Sequence, residues 1–329
     1  MARIAVLGSN SFAGAWFVDV ALSAGHGVLG VNRSAEGSAI FLPYRANSRA
    51  KDYVFRQLDL NRDAEAICEA LVAYEPEYIV DFAGQGMVAE SWRRPEQWYR
   101  TNIVAKVRLH DFLRQQPWLR KYVRASTPEV YGSAAHRIRE DQPYAPSTPY
   151  AVSHAAIDMS LAAFFRNYGF PMVLTRFANF YGPGQQLYRI VPRTVIYALA
   201  QRKLQLHGGG TSIRAFIHAR DVAEGMLAVV ERGRPGEVYH FSPDDFHSIR
   251  EVVETICIQL GVPFDTVAQV AADRPGKDQA YLMDAGKARS ELGWSPRYSL
   301  AQGVRETIRW VQDNFDEIRS LEWDYVHKP

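Results

Sequence analysis

Arg3-Ile4-Ala5-Val6-Leu7-Gly8-Ser9-Asn10-Ser11-Phe12-Ala13-Gly14 is the stretch on which the fold turns. An apolar run of strand length enters a loop with a glycine at each end, and Ala13 to Ala24 continues with helical period. Such a strand, loop and helix bring backbone N–H groups and the positive end of a helix dipole to one point. That is where a Rossmann fold holds a dinucleotide pyrophosphate. Gly8, Asn10, Ser11, Phe12 and Gly14 are therefore candidate cofactor contacts. Taken alone, the loop is equally compatible with a plain tight turn.

Working outward, the same alternation repeats. Strands are predicted at Arg3 to Gly8, Gly27 to Val31, Tyr53 to Asp59, Tyr78 to Phe82, Lys121 to Ser126 and Met172 to Phe177. Between them Ala13 to Ala24, Ala64 to Ala73, Trp98 to Gln115 and Tyr150 to Tyr168 read as helices, with Pro76, Pro117 and Pro171 near the ends where helices stop. This is the pattern of an α/β fold, a Rossmann doubly wound parallel sheet. After Tyr181-Gly182-Pro183-Gly184 the chain becomes loop-rich. Residues 1–178 are expected to form the dinucleotide-binding domain, with 211–240 returning to it, and 179–329 mainly a smaller α/β C-terminal substrate-binding cap. Trp323 to Pro329 reads as a surface tail.

Composition excludes several classes of partner. Thirty-eight basic against thirty-six acidic side chains give a net charge of +2, too balanced for a surface that holds nucleic acid or an anionic membrane. No apolar run approaches the ~20 residues of a membrane span, and no signal-peptide pattern is visible, so a cytoplasmic location is expected. Cys68 and Cys257 lie far apart in helix-like segments and read as buried packing residues. The nine histidines have no metal-ligand spacing, and no metal is expected; His240 and His247 read as packing or surface residues.

The second strand ends Val31-Asn32-Arg33-Ser34, where an acid would accept from a ribose 2′-hydroxyl and a cation would accommodate a 2′-phosphate. With Arg33 present and no acid beside it, NADP is the expected cofactor and NAD the alternative. A solvated surface arginine is the plainer reading of Arg33.

Chemistry concentrates in two segments, Ser126-Thr127-Pro128-Glu129-Val130-Tyr131-Gly132 and Tyr150-Ala151-Val152-Ser153-His154. A tyrosine near pKa 10 is a poor base at neutral pH, so taking a proton from a substrate hydroxyl requires a positive neighbour. On a helix the residue at i+4 lies on the same face and can supply it. Thr127, Glu129, Tyr150 and His154 are the candidate catalytic residues; capping groups and a helix-start aromatic are the plain alternative.

These segments resemble the Ser-Thr-x-Glu-x-Tyr-Gly and Tyr-x-x-x-Lys motifs of extended short-chain dehydrogenases in the nucleotide-sugar epimerase and dehydratase branch. Arg176 to Gly184, Gly208 to Asp221 and Arg274-Pro275-Gly276-Lys277-Asp278 extend the likeness, which runs from residue 3 to about 310. Two positions depart from the family pattern. Ser11 stands where the loop usually has glycine, with a hydroxyl that could donate to a phosphate. His154 stands for the lysine, so it serves as cation or relay, or Arg33 or Arg176 compensates, or turnover is poor.

The resemblance implies a 4,6-dehydratase acting on a nucleotide-linked hexose, GDP-linked favoured, through an NADP-using site. A 4-epimerase, a decarboxylase or a dinucleotide sensor is the alternative. Thr127 would bind the sugar 4-hydroxyl, Tyr150 would remove its proton, and Glu129 would act at C5. Asp59, Leu60, Phe82, Ala83 and Gln85, with Asn32, Arg33, Ser34, Tyr150 and His154, would line the cofactor. Gln85, Asn179, Arg193, Leu206, Arg214 and Arg274 would hold the nucleotide sugar. A homodimer through a four-helix bundle is implied too.

Overall fold

The computed structural model describes residues 1–133, 136–272 and 282–328. Seven parallel strands form one sheet: β1 (Arg3–Leu7), β2 (Gly27–Asn32), β3 (Tyr53–Gln57), β4 (Tyr78–Asp81), β5 (Lys121–Ala125), β6 (Met172–Phe177) and β7 (Val238–Phe241). In space they run β7-β6-β5-β4-β1-β2-β3. The order therefore reverses beside β1, where Leu7 pairs with Val31 on one side and Asp81 on the other. A crevice opens at that switch point, beyond the carboxyl ends of the strands.

β1 explains why the sheet is covered on both faces. Ile4 and Val6 join a core with the Phe12–Ser23 and Ala219–Arg232 helices, whereas Ala5 and Leu7 point into a second core with Leu71, Leu109 and Leu161. All four strand residues are fully buried, so a continuous apolar run replaces alternation. Removing side chains of this size from water stabilises by ~1.5–3 kcal/mol each.

After β6 the chain leaves the sheet through Asn179–Tyr181, which pairs with Phe216–His218, and builds a smaller layer. Its helices Ile190–Leu199, Ile249–Leu260 and Leu300–Asp313 share a core of Val191, Val195, Val252, Ile256, Val304 and Ile308. Short strand pairs, Leu204–His207 with Ala268–Ala271 and Ile213–Arg214 with His247–Ser248, complete it. The Ala219–Arg232 helix returns to pack on the Phe12–Ser23 helix, and β7 lies beside β6.

Two expectations need correction. Trp98 to Gln115 is not one α-helix: Pro95–Tyr99 is α, Arg100–Val104 is a π turn and Ala105–Leu113 is α again. Cys68 is only half-buried, although Cys257 is buried. Segment 323–328 lies at the surface as read, but it is tied down: it folds back onto the sheet domain, where His327 stacks on Trp98 with ring centroids 5.6 Å apart. Among the described residues no helix is long and apolar enough to cross a membrane.

Candidate active site

The loop after β1 is held by its glycines. Gly8 has φ +78°, a left-handed conformation that side chains resist, and a Cβ there would stand 2.8 Å from the Ala83 nitrogen. A Cβ on Gly14 would stand 2.2 Å from the Gly8 carbonyl oxygen. The backbone therefore approaches the crevice floor without side chains in the way, and the Phe12–Ser23 helix points its N-terminus at it. A cavity of about 100 Å³ follows, walled by Gly8, Ser11, Asn32, Arg33, Asp59, Leu60, Phe82, Ala83 and Gln85. These residues fit a dinucleotide: bare backbone and a helix end for phosphate, and polar strand ends for sugar.

Some predicted contacts do other work. The Ser11 hydroxyl donates to the Gly8 carbonyl at 2.6 Å and accepts from Gly14 N at 3.1 Å, so it caps the helix instead of facing a phosphate. Asn10 donates to the Ser34 carbonyl at 3.3 Å, and Asn32 donates to the same oxygen at 3.1 Å. The Phe12 ring is buried against Phe180, centroids 5.5 Å apart, and packs the core. Asp59 accepts from Asn61 N at 2.8 Å at the pocket wall.

Tyr150 opens the Pro149–Tyr168 helix, which Thr148 caps by accepting from Ala151 N at 3.1 Å. Thr127 follows β5 and caps the turn Pro128–Tyr131. Burial, and then the Glu129 carboxylate, push the Tyr150 hydroxyl well above its ordinary pKa, while Thr127 beside it favours the phenolate. Thr127, Glu129 and Tyr150 thus meet at one place. One turn on, the His154 ring lies 4.6 Å from that of Tyr150.

His154 is not a cation. Burial, followed by the charges of Arg124, Lys106 and Arg176, drives its pKa well below 6.5. The Arg124 guanidinium lies 3.1 Å from His154 Nδ1. Guanidinium has no acceptor, so Nδ1 accepts and the ring proton is on Nε2. Arg124 was absent from the expected site, as were Asp81, Lys106 and Asp158, and these form a buried ionic cluster. Asp158 accepts from Arg124 at 3.2 Å, from Arg176 at 3.0 Å and from Ser126 at 2.6 Å; Lys106 and Tyr122 both bond Asp81. Burial alone would raise the Asp81 carboxyl, but Lys106 and Arg124 hold it low, and burial pulls Lys106 down to about 8. Charges in β4, β5 and β6, segments read as apolar strands, were the available signal, because buried charges must pair.

Asn102 was also missed. The π turn places it inward, where it accepts from Gln85 N at 2.8 Å and donates to the Gln85 carbonyl at 3.1 Å and Ser153 Oγ at 3.0 Å. It ties the cofactor pocket to the Tyr150 helix.

Of the expected substrate contacts, Asn179 is exposed at the head of the cap, and Arg214 donates to the Ile213 carbonyl at 2.7 Å. Leu206 is only 3% exposed, and its side chain packs with Val253, Cys257 and Val267. Arg193 meets Tyr197 and, at 2.8 Å, the Asp324 carboxylate. Arg274 lies outside the described residues. Arg33 and Gln85 each donate to the Lys328 carbonyl at 3.0 Å. Arg176 is committed to Asp158, Tyr131 and Tyr144, so neither it nor Arg33 takes the lysine's place beside Tyr150. His240 is buried against Tyr131, and His247 pairs with Asp245.

A sheet whose strand order reverses at the Gly8 loop, with Tyr150 and His154 one turn apart beside Thr127, defines an extended short-chain dehydrogenase/reductase. Within that class the chain belongs to the family described as GDP-mannose 4,6 dehydratase, whose profile matches residues 6–307. It is 32% identical to a dTDP-glucose 4,6-dehydratase of Xanthomonas campestris pv. campestris, over 95% of this chain and 94% of that one. The dTDP-glucose 4,6-dehydratase of Streptomyces venezuelae, solved with NAD, superposes with a TM-score of 0.86 at 31% identity, covering 96% of this chain and 98% of that one. A UDP-glucose 4-epimerase of Thermotoga maritima, solved with UDP-glucose, gives the same TM-score at 25% identity, covering 95% and 99%.

Proposed function

We propose that this protein is a nucleotide-sugar 4,6-dehydratase that uses NAD and acts on a dTDP-linked hexose. One observation carries the reading: Thr127 and Glu129, at the turn after β5, act on the Tyr150 hydroxyl at the head of its helix, with the His154 ring 4.6 Å from that of Tyr150 one turn on. The bound dinucleotide supplies the acceptor and donor of hydride. Thr127 orients the sugar 4-hydroxyl and Tyr150 takes its proton, leaving a 4-keto sugar with an acidic C5 hydrogen. Pro128 offers no second acid. Glu129 therefore both takes the C5 proton and returns it to the departing 6-hydroxyl, which leaves as water.

The relatives with known names favour dTDP over the GDP-linked substrate expected from the resemblance, and NAD over NADP. Arg33 in the pocket wall supports NADP as the second reading. Arg193, Arg214 and, from its motif, Arg274 are proposed to hold the diphosphate, with Asn179 beside them. Residues 1–178 and 211–240 are read as the dinucleotide-binding part and the rest as cap. A cytoplasmic homodimer belongs to the same reading: Val152 and Met159, seven apart on one helix, are 38% and 62% exposed, and Val104 is 57% exposed. Light scattering of Met159→Glu is expected to show a monomer.

The test is mass spectrometry of products from dTDP-, GDP- and UDP-hexoses with NAD⁺ or NADP⁺. Loss of one water from the dTDP sugar with NAD⁺ is expected. An isomer of unchanged mass makes the protein an epimerase, and loss of carbon dioxide from a hexuronic acid makes it a decarboxylase.

A further inference from the structure

We infer that Arg124 is the cationic positioning residue of the reaction, acting on Tyr150 through the neutral imidazole of His154. The inference rests on Tyr150 being the base. A phenolate formed at Tyr150 needs a positive charge nearby, and the cations that favour it are Arg189 and then Arg124, of which Arg124 is the one that touches His154. His154 holds the i+4 place, but its Nδ1 faces Arg124 at 3.1 Å, so the ring carries its proton on Nε2, the nitrogen left for the site. The charge is thus one side chain further back than a lysine would put it, and the imidazole delivers it as a polarised N–H.

Arg124 is built for that place. It is 1% exposed, reaches Asp158 Oδ1 through its own Nε at 3.2 Å and stands 3.7 Å from Asp81. Asp158 follows His154 by four residues, so Tyr150, His154 and Asp158 share one helix face. The groups that act on His154 are Arg124 on β5, Lys106 on the Ala105–Leu113 helix and Arg176 on β6, with the Tyr150 ring one turn back on its own helix. The two carboxylates Asp81 and Asp158 neutralise Lys106 and Arg176 at contact distance. That leaves Arg124, shared between both acids, as the cation touching the ring.

A double-mutant cycle tests it. Arg124→Gln is expected to lower kcat about 10²-fold and to shift the basic-going limb of the kcat pH profile upward. In a His154→Lys background, where the lysine brings its own charge to Tyr150, the same change should cost only a few-fold. An equal loss in both backgrounds makes Arg124 merely structural and overturns the inference. Should Arg124→Gln fail to fold, Arg124→Lys, which keeps a charge, is expected to retain most of kcat. A large loss there would also count against it. A readout independent of turnover separates this from failure of the proposed function. In ¹⁵N-histidine NMR, His154 should hold its proton on Nε2 and titrate well below the ordinary 6.5. The opposite tautomer, or a normal titration, overturns the role whatever the substrate.

A separate observation carries a second inference: we propose that segment 324–328 is a strap that competes with ligands. It rests on the reading of Arg33, Gln85 and Arg193 as ligand contacts. One short piece of chain engages all three: Asp324 gives Arg193 a carboxylate where a diphosphate would bind, and the Lys328 carbonyl takes donors from Arg33 and Gln85. His327 pins it, stacked on Trp98 and bonded to Gln97 Oε1 at 2.6 Å. Calorimetry of the Asp324→Ala/His327→Ala variant should show NAD⁺ and dTDP each bound more tightly, by about three-fold or more for so exposed an ion pair. Unchanged or weaker binding of both overturns the strap. Arg193→Ala is the control. If it leaves dTDP binding unchanged, the diphosphate reading of Arg193 has failed, and NAD⁺ alone decides the strap.

Discussion

Tyr150 works against its surroundings. Burial and Glu129 both favour its neutral form, and only Thr127, Arg189 and Arg124 oppose them, so the phenolate is costly until ligands arrive. Tyr150→Phe is expected to keep NAD⁺ affinity and lose about 10²–10⁴-fold in kcat, measured by product formation. The i+4 spacing made this pair legible from the sequence, but its electrostatics were not. An ordinary histidine in place of lysine would bring a pH dependence near 6.5, whereas in the fold the ring is neutral, with its pKa driven far below that by burial and Arg124. The kcat profile should therefore show no inflection near pH 6.5 that His154→Gln removes. No local pattern links residue 124 to residue 154; the packing of the Pro149–Tyr168 helix against the sheet brings them together.

At the scale of elements, the glycine loop and the strands were readable because each depends on neighbours in sequence: an apolar run, a left-handed glycine, a cap. The π turn at Arg100–Val104 was not, since one extra residue in a helical turn leaves the apolar period almost unchanged. Its effect is to turn Asn102 inward onto both backbone groups of Gln85. Asn102→Ala leaves those buried groups without partners, a cost of ~1–3 kcal/mol. A lower melting temperature and weaker NAD⁺ binding are expected, the second measured by calorimetry below the new transition. The fold-back of segment 323–328 was equally hidden, because its anchors, from Arg193 to Gln97, Gln85 and Arg33, lie more than a hundred residues away in sequence.

At the scale of the whole molecule, buried neutral histidines tie stability to pH. Burial lowers His110 and His240 to about 3 and His218 to about 4, with His154 lowered too. Between those values and the ordinary 6.5 the unfolded chain binds protons that the native chain does not, so stability falls as pH drops below about 6.5 and levels off above it. Each histidine contributes up to ~1.4 kcal/mol per pH unit, and melting temperatures recorded from about pH 8 to 5 should fall only in the acidic half. The same closed core supports the chemistry, since Tyr150 faces Thr127 and Glu129 only when β5 and its own helix are packed. The most direct measurement uses dTDP-glucose carrying deuterium at C4, incubated with the enzyme and NAD⁺ in ordinary water, with the product read by NMR. Deuterium at C6 of a product that has lost water is the predicted result. Deuterium retained at C4, or no product while NAD⁺ is bound, would contradict the dehydratase account.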